Sequence, residues 1–393
     1  MASKTPVVDV HTHMYPPEYI KILESRDAIP IARSFPGVPD PRIVLLSTEM
    51  APLKEAEARA ARGDLPPTSA LPGRPLTSHY TSVAQKIHFM DTHDIDISVL
   101  SLANPWLDFV DKDQAGSLAA SVNAGFSAMC KEHPGRFFFF ATLPVTAPTG
   151  VILQTIADVA KLPYCRGVIL GTGGLGQGLD DLAMEPILAA LAEAELLIFL
   201  HPHYGLPGSV WGSRGDTTGE YGHVLPLALG FPMETTIAVT RLFLAGVFDR
   251  LPKLRMLLAH SGGTLPFLAG RIDSCVRHDA HLWKAAKSRR SIWDVLHEQV
   301  YLDAVVYSDV GLQAAISATK GAKTGGLDRL MFGTDHPFFP PLETDEQGEW
   351  ESVSMNADAV STALGSGSAE AAAVMGGNAV RVLRLYEEAS DKA

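Results

Sequence analysis

Eight short apolar segments recur along the chain, and stretches with helical periodicity separate most of them. The apolar segments cover residues 7–13, 97–102, 137–144, 167–171, 196–201, 255–260, 301–306 and 330–335. The helical patterns cover residues 118–131, 151–161, 185–194, 235–248 and 310–318. Continuous apolar strands are typical of parallel sheets that helices cover on their faces. This alternation therefore predicts an α/β fold, a (β/α)8 TIM-type barrel, as a single domain over residues 1–393.

Two regions lie outside the simple alternation. Residues 26–78 follow the first predicted strand and contain a charged helical pattern at 49–62 and a loop rich in proline and glycine. Because binding sites of this fold lie at the carboxyl ends of the strands, we expect this insertion to cap the mouth of the barrel. Residues 357–393 predict a helical extension at the C-terminus.

Composition narrows the class of protein. Of 393 residues, 46% are hydrophobic and 19% are charged, which is sufficient for a well-buried core. The net charge of −12 argues against a nucleic-acid partner, and three separated cysteines fit a reducing compartment. The first residues lack the apolar core of a signal peptide, and uninterrupted apolar runs are far shorter than the ~20 residues of a membrane span. We therefore expect a cytoplasmic protein without a membrane partner.

Polar, metal-competent side chains stand at the ends of four predicted strands. His11 and His13 lie one residue apart, so they point to the same face of the first strand. His201, His260 and Asp335 end the fifth, sixth and eighth strands. The carboxyl ends of barrel strands meet at one mouth, so we expect these side chains to converge. Imidazoles with a carboxylate suit Zn²⁺, with Mn²⁺, Co²⁺ or Fe²⁺ as alternatives.

Five neighbouring residues are interpreted one by one. His203 either supports the site from outside the metal set or is structural, and His336, on a turn after Asp335, is expected to face away from the metal. Asp9 shares the face of His11 and either orients a ligand histidine or is a paired buried acid. Arg74, in the insertion, offers a guanidinium fork for a carboxylate or is an ordinary surface arginine. Phe338 either stacks on a flat ring or belongs to the core.

These motifs resemble one enzyme family. The pattern comprises His11-x-His13, His201-Pro202, His260 followed by Ser-Gly-Gly, and Asp335 within Gly-Thr-Asp-His-Pro-Phe. It is similar to the amidohydrolase-2 branch of the metal-dependent hydrolase superfamily, the branch of aminocarboxymuconate-semialdehyde decarboxylase. Longer similar stretches at residues 11–17, 101–106, 201–205, 229–238 and 332–341 extend the resemblance over nearly the whole chain. No lysine of the kind that bridges two metals follows the fourth strand, which favours one metal.

The resemblance implies a carboxy-lyase with one Zn²⁺ per subunit and no organic cofactor. It implies His11, His13, His201 and Asp335 as metal ligands. Asp335 is then the first choice for the proton donor, while His260 is either a competing donor or a ligand of the substrate carboxylate.

The implied partner is a small aromatic or pyrimidine carboxylic acid. Uracil-5-carboxylate (isoorotate), converted to uracil and CO2 in pyrimidine metabolism, is the favoured substrate, bound by Arg74, His260 and Phe338. A salicylate-type acid such as 6-methylsalicylate or γ-resorcylate is the alternative, and metal-dependent hydrolysis of a lactone or amide is a third. The resemblance also suggests a homodimer or homotetramer.

Overall fold

The computed structural model describes residues 5–45, 49–212, 221, 224–282, 289–321, 325–341 and 348–387. Its strands are β1 (Val8–Met14), β2 (Ile31–Arg33), β3 (Arg42–Val44), β4 (Arg74–Pro75), β5 (Ile97–Leu102), β6 (Phe137–Thr142), β7 (Cys165–Gly171), β8 (Leu197–His201), β9 (Met256–Leu258), β10 (Val300–Asp303) and β11 (Leu330–Met331). Its α-helices are α1 (Pro17–Glu24), α2 (Met50–Ala61), α3 (Ser78–Thr81), α4 (Val83–Thr92), α5 (Lys112–Glu132), α6 (Thr149–Val159), α7 (Glu185–Glu193), α8 (Phe231–Leu244), α9 (Val247–Arg250), α10 (Leu265–His278), α11 (Ile292–Glu298), α12 (Asp309–Thr319), α13 (Glu351–Leu364), α14 (Ala369–Ala372) and α15 (Asn378–Val382).

Eight parallel strands form a barrel. They are hydrogen-bonded in the order β1, β5, β6, β7, β8, β9, β10 and β11. The segment after β11 returns to β1, where Val10 N donates to Phe332 O at 3.0 Å and His13 N donates to His336 O at 2.8 Å. The predicted (β/α)8 barrel is therefore confirmed.

The core is built from strands that are apolar on both faces, as a parallel sheet requires. In β6, Phe139 faces outward and stacks on Phe126 of α5 with ring centroids 5.9 Å apart. The next residue, Phe140, faces inward and contacts Phe199 of β8 at 5.3 Å. Because side chains alternate along a strand, one apolar run fills both the helix layer and the barrel interior. Phe199 in turn lies 5.0 Å from the ring of His11 and forms the apolar floor beneath it.

Residues 26–78 contain a second, smaller unit of structure. Strands β2, β3 and β4 form an antiparallel sheet with α2 beside it. This unit has an apolar cluster of its own, which comprises Ile31, Phe35, Val44, Leu53, Ala56 and Leu71. Burial of that cluster gives the segment its own source of stability. The boundaries of the insertion and its role as a cap stay predictions.

Several elements differ in extent from their sequence patterns. The last three barrel strands are shorter than predicted, so that β9 ends at Leu258 and β11 at Met331. His260 and Asp335 therefore lie in loops beyond the strand ends. The C-terminal helices begin at Glu351, earlier than the predicted 357, and residues 388–393 of the predicted extension lie outside the described residues.

Among the described residues, one helix is long and apolar enough to cross a membrane, judged by length and composition alone. It covers Val224–Leu244, with a mean hydropathy of 1.3. One face of it is buried in the main core through Val239, Leu242 and Phe243. A helix that covers the core of a barrel has the same composition, and its buried face identifies this one as part of the fold.

Candidate active site

Four histidine rings pack edge to face at the carboxyl ends of the barrel strands. The centroid of His11 lies 5.1 Å from those of His13, His201 and His260. The carboxylate of Asp335 lies among them: its Oδ1 is 3.2 Å from His11 Nε2 and 3.4 Å from His13 Nε2. Its Oδ2 is 3.5 Å from His260 Nε2. The five side chains that the sequence placed at strand ends are thus together.

Hydrogen bonds to the Nδ1 atoms orient the rings. His11 Nδ1 lies 2.7 Å from Asp303 Oδ2, and a carboxylate can only accept, so this nitrogen carries the proton. Ser101 donates its hydroxyl to Thr12 O, so at 2.9 Å it accepts from His13 Nδ1. His201 Nδ1 donates to the carbonyl of Pro202 at 2.6 Å. In all three rings the bonded nitrogen is Nδ1, which directs the Nε2 atoms towards one point.

These Nε2 atoms have the properties of metal ligands. Those of His11, His13 and His201, together with Asp335 Oδ1, are buried and lack a hydrogen-bond partner among the described residues. Ligand atoms about 2.1 Å from a common ion in tetrahedral geometry are about 3.4 Å apart, close to the 3.2 and 3.4 Å observed here. A His/Asp set of this kind fits a divalent metal.

The tightest set of four differs from the expected one. His11, His201, His260 and Asp335 each offer an atom within 4.8 Å of the others. His13 is near Asp335 but outside this set, and His260 is inside it. The expected ligand set of His11, His13, His201 and Asp335 therefore stays a prediction, with His260 as a further candidate.

Burial and charge set the protonation of the cluster. Burial lowers the pKa of His13 to about 4 and lowers that of His201 well below its usual value, so both are neutral at pH 7. Burial would also lower the pKa of His11, but the charge of Asp335 and the hydrogen bond to Asp303 raise it to about 10. Burial would raise the pKa of Asp335, but the charge of His11 holds it well below its usual value.

The backbone at two of these residues is held in the left-handed region. His260 has φ +52° and Asp335 has φ +59°, conformations that cost energy outside glycine. Gly333 allows this loop to approach β1, because a Cβ there would lie 2.7 Å from His11 Cβ. The loop is fixed by Asp9, which accepts hydrogen bonds from Thr334 N and from Thr334 Oγ1. Asp9 also accepts from His11 N at 3.1 Å, so it orients the backbone of His11 and not its ring.

Asp303 is a site residue that the sequence analysis missed. Besides His11, it accepts hydrogen bonds from His260 N at 3.1 Å, from Ser261 N at 2.8 Å and from Val305 N at 3.1 Å. A single buried carboxylate therefore orients one histidine ring and holds the left-handed turn of another. A signal was present, because Asp303 follows an apolar run just as His201 does.

Arg74 lies beside the cluster. Its Nη2 donates to Tyr15 Oη at 2.9 Å, and its guanidinium carbon lies 5.3 Å from the ring centroid of Phe338. Phe338 in turn contacts the ring of His13 at 5.9 Å. Arg74 Nε is buried without a hydrogen-bond partner, and no carboxylate in the described part of the chain forms an ion pair with this side chain. A partly unsatisfied cation thus stands next to an aromatic ring and the His/Asp cluster.

Comparison with known proteins identifies the family. The model of the amidohydrolase family Amidohydro_2 matches residues 8–385. The chain belongs to the amidohydrolase-2 family. Over 260 residues it is 27% identical to 2-amino-3-carboxymuconate-6-semialdehyde decarboxylase of Dictyostelium discoideum, which covers 64% of this chain and 66% of that protein. It is 26% identical to gamma-resorcylate decarboxylase of a Rhizobium species, over 71% of this chain and 83% of the relative.

Solved structures agree with this family. The chain is 64% identical to Metarhizium anisopliae IDCase (isoorotate decarboxylase) in its apo form, over 99% of this chain and 98% of that one, with a TM-score of 0.88. The 5-carboxyvanillate decarboxylase of Sphingomonas paucimobilis shares the fold, with a TM-score of 0.71 at 19% identity over 97% and 99% of the two chains. As a member of the amidohydrolase-2 family with decarboxylases as its relatives, the chain is a carboxy-lyase.

Other polar residues near the strand ends lie outside the cluster of this amidohydrolase. The ring of His203 contacts Trp106 at 4.4 Å, and burial lowers its pKa to about 3. His336 points to the opposite side of the barrel wall, as expected, where Nζ of Lys86 lies 2.5 Å from its Nδ1. The glycine pair after Ser261 forms a tight turn, since a Cβ on Gly263 would collide with the backbone of α8.

Proposed function

We propose that the chain is a zinc-dependent, non-oxidative decarboxylase that converts uracil-5-carboxylate to uracil and CO2 in pyrimidine metabolism, including thymidine salvage. The observation that carries this proposal is the 64% identity to an isoorotate decarboxylase over nearly the full length of both chains. The family and the reaction class rest on broader evidence, and the substrate and the metal are the proposed part.

Arg74 supports an acidic, planar substrate. Its guanidinium is desolvated beside Phe338 and has no carboxylate partner within the described residues. A bound carboxylate or ring oxygen would accept two parallel hydrogen bonds from the fork, while Phe338 stacks on the flat ring. Both side chains reach the His/Asp cluster through the contact between Phe338 and His13. The substrate would therefore bind with its reacting carbon close to Asp335.

The cluster supplies the acid chemistry. We propose that His11, His13, His201 and Asp335 hold one Zn²⁺ per subunit, which would bind the carboxylate and polarise the ring. The ring carbon takes a proton first, because loss of CO2 from the unprotonated carbon would leave a high-energy carbanion. The electron pair of the broken carbon–carbon bond then returns to the ring as CO2 leaves. Asp335 is the proposed donor, and it must first take up a proton because it is ionised in this structure. His260, 3.5 Å away, holds the substrate carboxylate and is the competing donor.

A salicylate-type acid is the second candidate substrate. A 6-methylsalicylic acid decarboxylase of Aspergillus aculeatus is 28% identical over 63% of this chain. Such a substrate also carries an oxygen beside the carboxylate, so it would use the same residues. Hydrolysis of a lactone or amide is the third candidate, because a bound metal can also activate water.

The deciding experiment offers the zinc-loaded protein 5-carboxyuracil and, separately, 6-methylsalicylate. We expect uracil to form, followed by its ultraviolet absorbance, and CO2 to be released. The Asp335→Ala variant should be inactive, whereas Asp279→Ala, which changes a half-buried carboxylate outside the site, should retain activity. If the enzyme turned over 6-methylsalicylate and not 5-carboxyuracil, the second candidate substrate would replace the first. If neither acid released CO2 while the metal stayed bound, hydrolysis of a lactone or amide would become the favoured reaction.

The same proposal covers organic cofactors, macromolecular partners, oligomeric state and location in the cell. The enzyme would need no organic cofactor, and no nucleic acid or membrane takes part in the reaction. We propose a homodimer or homotetramer in the cytoplasm. Sedimentation of the purified protein tests the oligomeric state.

A further inference from the structure

Lys86 is a fully buried lysine on α4, on the far side of the barrel wall from the histidine cluster. Its ammonium group donates to Thr12 Oγ1 at 2.7 Å and lies 2.5 Å from His336 Nδ1. Removing an ammonium group from water carries a large desolvation cost, which a methionine of similar length would not incur. Burial accordingly lowers the pKa of Lys86 to about 7, against the charge of Asp9. The desolvation cost of a lysine at this position must be offset by what its contacts stabilise.

Both partners of Lys86 adjoin the cluster. Thr12 lies between His11 and His13 on β1, and its side chain points to the opposite face because side chains alternate along a strand. His336 directly follows Asp335. The two segments already share backbone contacts, since Asp335 N donates to His11 O at 2.7 Å and Thr12 pairs with His336. Lys86 adds a side-chain link across the same junction.

Residues of α3 and α4 hold the ring of His336 in place. Because its Nδ1 accepts from the Lys86 ammonium, its proton resides on Nε2, which lies 3.1 Å from His79 Nδ1. Its ring stacks on Phe89 with centroids 3.7 Å apart. The loop that carries Asp335 is thereby fixed to α4 and not to the barrel alone.

We propose that Lys86 is a positioning residue of the metal site, which locks the two ligand-bearing segments together from behind. One segment carries His11 and His13, and the other carries Asp335. Metal ligands must be held to within about 0.5 Å of the productive geometry, and groups that support them govern affinity. The inference rests on the proposed metal site but not on the identity of the substrate.

The test compares metal binding by wild type and Lys86→Met, each prepared without metal. Zinc affinity is measured by competition with a chromogenic chelator, and site geometry by the visible spectrum of the Co²⁺-substituted protein. We expect Lys86→Met to bind zinc about 10- to 100-fold more weakly, with a shifted Co²⁺ band. Wild-type affinity together with a wild-type spectrum would overturn the inference.

Two more variants control for failure to fold and for general destabilisation. Thr12→Val removes the hydroxyl that Lys86 contacts and that also donates to His336 O at 3.2 Å, so it should shift zinc affinity in the same direction even if Lys86→Met fails to fold. Thr12→Val tests the junction between the two segments, and Lys86→Met tests the lysine itself. Val122→Ala removes buried volume on α5, away from both segments, and should retain wild-type affinity and spectrum. If Val122→Ala weakened zinc as much as Lys86→Met, general destabilisation would explain the effect and the inference would be wrong.

Different results would contradict the proposed metal site and the proposed role of Lys86. Absence of zinc binding by the wild-type protein would contradict the proposed metal site, and this inference with it. Tight binding by wild type and Lys86→Met alike would contradict the role of Lys86 alone. Neither measurement uses a substrate, so a different substrate leaves both readouts unchanged.

Discussion

The Nδ1 atom of His11 lies 2.7 Å from Oδ2 of Asp303, and both side chains are fully buried. This contact joins the first and seventh strands of the barrel across its mouth. It fixes the tautomer of His11 so that Nε2 faces Asp335. The same carboxylate accepts from the backbone of His260 and Ser261, so the geometry of two histidines depends on Asp303.

Replacement of Asp303 by asparagine should weaken metal binding. The amide keeps the shape of the side chain but loses the negative charge and one acceptor, so His11 becomes a poorer ligand. We expect Asp303→Asn to lower zinc affinity by about 10- to 100-fold, measured by chelator competition. Asp279→Asn, which changes a half-buried carboxylate at the end of α10, is the matched control. Equal affinities of Asp303→Asn and wild type would contradict this role.

Metal binding should release a proton. With a pKa of about 10, His11 is protonated at neutral pH, whereas His13 and His201 are neutral. A ligand imidazole must be deprotonated at Nε2, so we expect about one proton per zinc at pH 8. The logarithm of the apparent affinity should then rise by about one per pH unit between pH 7 and 9. Calorimetry in buffers of different ionisation enthalpy measures this number, and a value near zero would contradict it.

The same shift predicts the pH dependence of stability without metal. The pKa of His11 is raised from 6.5 to about 10 on folding, so the folded state binds the proton more tightly. This contribution is fully present below pH 6.5 and is lost as the pH rises through 10. The lowered pKa of Lys86, about 7, acts in the opposite direction over much of this range, so the prediction concerns the difference between two proteins. The stability of metal-free wild type relative to His11→Gln, measured by urea unfolding, should fall between pH 7 and 10, and a difference that stays constant with pH would contradict the assignment.

The sequence predicted the barrel and the five-residue cluster because both follow from regular patterns. Apolar runs mark parallel strands, and the strand ends bring His11, His201 and Asp335 together whatever the loops do. Asp303 ends an apolar run as His201 does, so the pattern could have indicated it, whereas Lys86 was missed because its role depends on tertiary contacts. Lys86 lies within a helix of ordinary composition, and nothing in the local sequence shows that its ammonium reaches Thr12, 74 residues away. Left-handed backbone at His260 likewise leaves no local signal.

Removal of the metal should abolish activity without unfolding the protein. The barrel core lies below the cluster and is apolar, so it does not depend on the ion for burial. We expect dialysis against a chelator to remove activity and Zn²⁺ to restore it, while circular dichroism stays unchanged. The midpoint temperature of unfolding should rise on zinc addition. Zinc at 100 times its dissociation constant stabilises the folded state by about 2.7 kcal/mol. Full activity after complete chelation would contradict a metal-dependent mechanism.

Replacement of Arg74 by lysine should impair substrate binding more than turnover. Lysine keeps the positive charge but cannot donate two parallel hydrogen bonds, and it loses the contacts with Tyr15 and Phe338. Charge-assisted hydrogen bonds contribute about 1.5–3 kcal/mol, so KM should rise by roughly 10- to 100-fold with a smaller change in kcat. Arg62→Lys, an exposed arginine in the same insertion, is the control and should keep the wild-type KM. An unchanged KM for Arg74→Lys would exclude bidentate recognition of the substrate by this side chain.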